Sequence, residues 1–278
     1  LLLGGLAERR TGALSKWQCS LSKAVPANLQ ISFIRFNKEN QMKLYTLYSK
    51  YVSRLRSNPA VFRWLYGFTP PPALWGQYWD WTTVVLRNCL RRYLQPEMSL
   101  LDMGCGPYAV LSRFAKEKLN CRIITGADHC EELIDYAKGT DPDSGIEYVC
   151  SDLFENIGGK FDLIIFNAPY IEAEKGTKLG LFPTALDRKR FSGGEDGAAT
   201  VTRFLQDAPK YLRLEGKLLL GVNHYHIERE VVQSEIFKSG FRTVAIHNNP
   251  ITKACVYVVK EKENEEMPKM SDARQPLG

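Results

Sequence analysis

After Pro96 the chain alternates short apolar runs with amphipathic ones, and this alternation restricts the possible fold more than any other feature. Strands are expected over 99–104, 122–128, 146–150, 161–167, 216–223, 241–248 and 253–260. Apolar positions at helical spacing predict helices over 108–118, 131–138, 196–212 and 227–239. Apolar strands separated by helices imply a mainly parallel sheet covered on both faces. Only Asn249-Pro250-Ile251-Thr252 joins the last two strands, too short for a parallel crossover, so they form an antiparallel hairpin. The expected class is α/β, a seven-stranded mainly parallel sheet with one antiparallel strand.

An N-terminal helical region precedes it. Leu44, Leu47, Tyr48, Tyr51, Val52 and Leu55 recur at helical spacing within 37–65, and a further helix over 79–94 runs up to Pro96. Between them Phe68-Thr69-Pro70-Pro71-Pro72 stops helix. The expected organisation is a poorly ordered extension over 1–36, a basic helical region over 37–95, the α/β domain over 96–260, and a charged, disordered tail over 261–278.

Charge separates these parts. Residues 1–95 hold 14 Lys and Arg against 3 Asp and Glu, so the net charge of +6 originates there. Such an excess suits nucleic acid or a ribonucleoprotein partner, and equally a solvated basic helical face. The seven cysteines are scattered without a CxxC pair, which argues against a disulfide framework and a zinc site. A reducing, cytoplasmic setting is the simplest expectation. The basic, acid-poor first 38 residues share features with organellar transit segments, which makes a mitochondrial location the alternative. No run reaches 18 apolar residues, so neither a transmembrane helix nor a membrane partner is expected.

The ends of the first four strands carry the chemistry. Asp102-Met103-Gly104-Cys105-Gly106 closes the first strand, where two glycines let backbone approach a ligand and turn into a helix. Cys105 is a small residue within that loop. Asp128, 22 residues after Gly106, stands where an acid accepts hydrogen bonds from both ribose hydroxyls. Asp152 and Leu153 follow the third strand, placed for an adenine amine and its ring. Each has a plainer use, as a turn or a helix cap. The fourth strand ends in Asn167-Ala168-Pro169-Tyr170, which joins an amide, a main-chain carbonyl and an aromatic ring.

These segments together resemble the class I S-adenosylmethionine-dependent methyltransferases over residues 75–260. The resemblance implies a Rossmann-like methyltransferase fold and S-adenosyl-L-methionine as cofactor. It implies that Asp102, Gly104, Cys105 and Gly106 abut the methionine part, that Asp128 holds the ribose, and that Asp152 and Leu153 read adenine. The usual small residue and glycine are replaced after the loop by Pro107-Tyr108. Asn167-Ala168-Pro169-Tyr170 is similar to the Asn-Pro-Pro-Tyr motif of enzymes that methylate planar nitrogens. In such a site the Asn167 oxygen and the Ala168 carbonyl accept the hydrogens of the nitrogen, and Tyr170 stacks on the planar group. Ala168 departs from the first proline of that motif.

Phe191-Ser192-Gly193-Gly194-Glu195-Asp196-Gly197 is similar to a segment of the glutamine methyltransferases that modify peptide-chain release factors. The loop over 171–190 would border the substrate, rimmed by Lys175, Lys178, Arg188, Lys189 and Arg190. Thr82, in the aromatic run from Trp75, stands where the family covers the cofactor, or packs in the core. His224 and His226 read as loop or core histidines rather than metal ligands. The expected activity is N-methylation, with a protein glutamine, such as one in a translation protein, as the favoured acceptor. The exocyclic amine of adenine in RNA or DNA is the alternative, and Ala168 raises a third possibility, a non-catalytic adaptor that binds the cofactor.

Overall fold

The computed structural model describes residues 51–262. The expectations for 1–36, the 37–50 part of the 37–65 helix and the tail beyond 262 lie outside the described residues. The chain divides into units at residues 1–55 and 56–278, and of the first only 51–55 are described.

The second unit is built on seven strands: β1 (Ser99–Met103), β2 (Ile123–Asp128), β3 (Glu147–Cys150), β4 (Phe161–Asn167), β5 (Leu212–Asn223), β6 (Phe241–Asn248) and β7 (Ala254–Glu261). Their order across the sheet is β3-β2-β1-β4-β5-β7-β6. All neighbours from β3 to β5 pair in parallel, whereas β7 runs antiparallel to both β5 and β6. The hairpin expected from the four-residue link is β6–β7.

Eight α-helices lie wholly within the described residues: α1 (Pro59–Tyr66), α2 (Trp81–Tyr93), α3 (Val110–Leu119), α4 (Glu131–Thr140), α5 (Ala173–Lys178), α6 (Ala185–Phe191), α7 (Ala199–Asp207) and α8 (Arg229–Lys238). Alternation along the strands divides the core. Leu100, Leu163, Ile165, Leu219, Val256 and Val258 pack with α1, α2 and α3. Leu101, Met103, Ile164, Phe166, Leu218, Leu220 and Tyr257 face the other way, against α7 and α8. Burial on both faces explains why the strands lack polar alternation.

Several boundaries differ from expectation, each for a local reason. A helix continuous to residue 65 is prevented at Pro59, which lacks an N–H. Instead Asn58 caps a new helix by accepting from Ala60 N at 2.8 Å, and Gly67 ends it at φ 78°. The expected helix over 196–212 tightens to a 3-10 turn at Ala208–Tyr211, where Pro209 enters. The stretch 171–190, read as a loop, contains α5 and α6. Packing continues across residues 95 and 96, because Phe62, Tyr66, Leu86 and Leu90 share one core with Leu100 and Leu219.

Two contacts set the position of the strand ends. Helix α2 lies close on β5 because residue 221 is glycine: a Cβ there would stand 2.7 Å from Thr82 Cγ2 and 2.9 Å from Leu86 Cδ1. Helix α3 is held to β1 by the buried Asp102, whose Oδ2 accepts from Ser112 N (3.0 Å) and Ser112 Oγ (2.6 Å). Burial drives the Asp102 carboxyl up to about 7, although the Ser112 hydrogen bonds oppose it.

Gly221→Ala should cost about 1–3 kcal/mol by overpacking, read from the urea midpoint at unchanged slope. For Asp102 the folded state binds the proton more tightly than the unfolded one. The stabilising effect is therefore complete below pH 3.8 and is lost as pH rises towards about 7. Across that window Asp102 should lower unfolding free energy by up to about 1.4 kcal/mol per pH unit, and Asp102→Asn should remove this slope in urea titrations at several pH values.

Candidate active site at the strand ends

Parallel pairing brings the carboxyl ends of β3, β2, β1, β4 and β5 to one edge of the sheet. The register sets Met103 beside Ala127 on one side and Phe166 on the other. The chain winds in opposite directions from β1, so a crevice opens between the ends of β1 and β4, the usual ligand position in such sheets. The glycine loop and Asn167 stand on its two sides.

On the β1–β2 side, Gly104 and Gly106 both adopt φ 66°, in the left-handed region that suits glycine. Cys105 N–H donates to the Ala127 carbonyl at 2.9 Å, which ties the loop to β2. Burial, followed by the Asp102 and Asp128 charges, pushes the Cys105 thiol well up, so it has no nucleophilic character. Asp128 is buried, and its Oδ2 accepts from Gly106 N (3.1 Å) while Oδ1 accepts from Cys130 N (3.1 Å). His129 Nδ1 lies 3.4 Å from the same Oδ1. A carboxylate has about four acceptor positions, so these contacts orient Asp128 and leave it further acceptor capacity.

Three sequence assignments acquire a different setting. Asp102 is committed to Ser112 of α3 and only 3% exposed, so it ties α3 to β1 rather than lining the crevice. Asp152 is exposed and paired with Arg203 of α7 at 3.0 Å. Leu153 is buried at φ 51°, a left-handed conformation held by the Ser151 Oγ donation to its carbonyl (2.7 Å). The following Phe154 stacks between Phe204 and Tyr211, inside the core.

On the β4–β5 side, Asn167 pairs with Gly221, and the Ala168 N–H donates to the Gly221 carbonyl at 3.1 Å. That bond extends the ladder one residue beyond β4 and uses an N–H that a proline would lack. The Asn167 Nδ2 faces Asp80 Oδ2 (3.3 Å), Asp80 Oδ1 (3.4 Å) and Thr83 Oγ1 (3.4 Å). Its Oδ1 is buried and has no partner among the described residues. Asp80 is the N-cap of α2, accepting from Thr83 N at 2.6 Å, while Thr83 Oγ1 donates to Asp80 Oδ1 at 2.7 Å.

Tyr170 stacks on His226 with ring centres 5.9 Å apart and planes at 22°. Burial, with the Asp80 charge adding to it, raises the Tyr170 phenol far above its ordinary range, so it remains neutral. Burial also lowers His226 to about 4, assisted by Lys175, so its ring is uncharged at neutral pH. Thr82 is fully buried against Gly221 and lies by the Tyr170 hydroxyl, on the β4–β5 side of the crevice. Asp80, Thr83 and His226 were not assigned from sequence. The Asp-x-x-Thr spacing is a legible helix cap, but its link to Asn167 spans more than 80 residues.

The glycine segment braces the backbone after Tyr170. Ile171 N–H donates to the Phe191 carbonyl (3.2 Å), and Gly193 N–H donates to the Ile171 carbonyl (2.8 Å). A Cβ at Gly193 would sit 2.9 Å from the Pro169 carbonyl, and one at Gly197 would sit 2.9 Å from that of Tyr170. Asp196 accepts from Ala198 N at 2.8 Å at the start of α7. From this base the chain continues as a strap of α5 and α6, and Ala185, Leu186 and Lys189 of α6 border a cavity of about 410 Å³ with Trp75, Cys130 and Glu132. Arg190 Nη1 donates to the Trp75 carbonyl at 3.4 Å. Lys178, Arg188 and Lys189 are exposed on this strap.

Residues 75–184 match the family described as methyltransferase small domain. The chain is 30% identical over 146 residues to the release factor glutamine methyltransferase of Streptococcus pneumoniae, covering 51% of this chain and 52% of that protein. It is 42% identical over 69 residues to the ribosomal protein uL3 glutamine methyltransferase of Bradyrhizobium diazoefficiens, covering 24% and 22% respectively. The chain thus spans about half the length, or less, of these curated relatives. A crystal structure of a methyltransferase from Pyrococcus furiosus superposes with TM-score 0.55 at 20% identity, over 76% of this chain and 97% of that one, a likeness of fold. The strand order, the glycine loop at the β1–β4 crevice and these matches agree: residues 75–184 are similar to the methyltransferase small domain, and the sheet has the fold of the Pyrococcus furiosus methyltransferase.

Proposed function

We propose that this protein is an S-adenosylmethionine-dependent N-methyltransferase whose acceptor is a planar amide nitrogen, in the first place a glutamine side chain of a protein. One observation carries the reading: Asn167 Oδ1 is a buried acceptor without a partner among the described residues, at the crevice that also holds the glycine loop. Such an atom is costly unless something donates to it. A primary amide supplies an N–H of the right kind. The relatives that methylate glutamine in a release factor and in a ribosomal protein favour that acceptor, and a cytoplasmic setting suits it.

The crevice suits the cofactor. A Cβ at Gly106 would meet nothing within 4 Å, so the loop presents open backbone, and Asp128 is oriented beside it by Gly106 N and Cys130 N. Gly104, Cys105 and Gly106 would hold the methionine part, Asp128 the ribose, and Asp152 with Leu153 the adenine. S-adenosylmethionine supplies an electrophilic methyl group on a good leaving group.

The remaining work belongs to this chain. An amide nitrogen is a poor nucleophile because its lone pair is delocalised into the carbonyl. Asn167 Oδ1 and the Ala168 carbonyl accept from its two hydrogens, concentrate electron density on nitrogen and fix its plane. Tyr170, neutral and backed by the His226 ring, offers a face for the amide to stack on. The ladder bond from Ala168 to Gly221 holds the carbonyl that a proline ring would otherwise stiffen. On this account Ala168 is compatible with turnover. The exposed Lys178, Arg188 and Lys189 on the strap form a basic rim for the partner protein.

The test is incubation with methyl-labelled cofactor and either cell protein or RNA. Label should appear in protein, as methylglutamine after digestion, and label in RNA alone would overturn the assignment. Asn167→Ala should lower turnover about 100-fold or more, with cofactor affinity by calorimetry within about two-fold of wild type. Asp128→Ala should weaken cofactor binding by about ten-fold or more, in keeping with the loss of a charged hydrogen-bond acceptor.

A further inference from the structure

The two ends of an asparagine amide are nearly the same size, so the end that meets a ligand is decided by what the other end touches. At Asn167 the inner neighbours are the two Asp80 oxygens at 3.3 and 3.4 Å and Thr83 Oγ1 at 3.4 Å. A carboxylate only accepts. The Thr83 hydroxyl hydrogen is already given to Asp80 Oδ1 at 2.7 Å, so its oxygen offers Asn167 only lone pairs. Three acceptors on one side require the nitrogen end there and turn Oδ1 the other way, where it is buried without a partner among the described residues. Asp80 cannot easily swing aside, because it also caps α2 through Thr83 N at 2.6 Å.

From this we infer that Asp80 is a positioning residue, which holds the Asn167 amide oxygen-outward and so makes the site selective for an acceptor nitrogen that carries hydrogen. The inference rests on the proposed methyl transfer for its consequence but on the Asp80–Asn167–Thr83 geometry for its substance. With the amide reversed, Asn167 would donate, and the site would favour a nitrogen presenting a bare lone pair. The cap of α2 thus has two uses, and the second fixes the sign of the hydrogen bond at the acceptor.

Asp80→Asn in the full chain separates the two uses. Asparagine caps a helix about as well as aspartate, yet its own amide can offer either end, so the Asn167 amide is free to reverse. The expected result is kcat for protein methylation lowered about ten- to 100-fold, with Tm unchanged and KM for the acceptor protein within about two-fold. The exchanged pair Asp80→Asn with Asn167→Asp puts an acceptor oxygen outward whichever way the carboxylate turns, and should recover most of the lost turnover. Independently of turnover, the side-chain amide protons of Asn167 in ¹⁵N-labelled protein should exchange slowly in wild type and faster in Asp80→Asn.

Asp80→Asn at wild-type kcat, equal exchange in both proteins, or an exchanged pair no better than the single variant would each overturn the inference. Slow exchange lost in Asp80→Asn, in a wild type that methylates no protein, would support the orientation and overturn the proposed function instead.

Discussion

Parallel pairing of β1 with β2 on one side and β4 on the other is the constraint on which the rest of the molecule depends. It aligns the ends of these three strands at one edge and opens a crevice where the winding reverses. The groups that matter are consequently not gathered by any single loop. The glycine turn, Asp128 and Asn167 come from separate strands, and they approach one another because their strands are neighbours in register. Burial on both faces makes that register hard to slip, since a one-residue shift would exchange the two cores.

The crevice has a rigid side and a built side. On the β1–β2 side, one carboxylate ties α3 to β1 through Ser112, and another holds the glycine loop through Gly106. On the β4–β5 side, the end of β4 is gripped by three elements. Gly221 of β5 takes the Ala168 N–H, the α2 cap holds the Asn167 nitrogen, and the glycine segment packs on the backbone of Pro169 and Tyr170. A proline ring is one way to stiffen this backbone. A ladder hydrogen bond is another, and alanine permits it.

Much of the fold was legible in the chain because strands buried on both faces and short links leave a strong periodic signal. The hairpin at 249–252 followed from link length alone, and the ends of β1, β2 and β4 were visible as the places where apolar runs meet Gly, Asp or Asn. The site was legible only in part. Residues that sit after a strand, such as Asp128 and Asn167, could be picked out one at a time. Their supports could not: Asp80 reads as an ordinary helix cap, His226 as a loop histidine, and Asp102 as one more acid beside a glycine turn. The split of the early helix at Pro59 was legible in principle, since Asn-Pro is a strong start signal, but the apolar spacing on either side masked it.

By itself the amino-acid sequence determined the order of strands and helices, the single reversed strand, and the placing of Gly104, Gly106, Asp128 and Asn167 at strand ends, because each depends on local periodicity, chain length or backbone stereochemistry. Tertiary structure alone decided which strands are neighbours, that Asp102 ties α3 to β1, and that Asp80 and Thr83 reach Asn167. Those outcomes depend on packing between segments tens of residues apart, and the hydrogen-bond sense of an amide is set by the neighbours such packing brings to it.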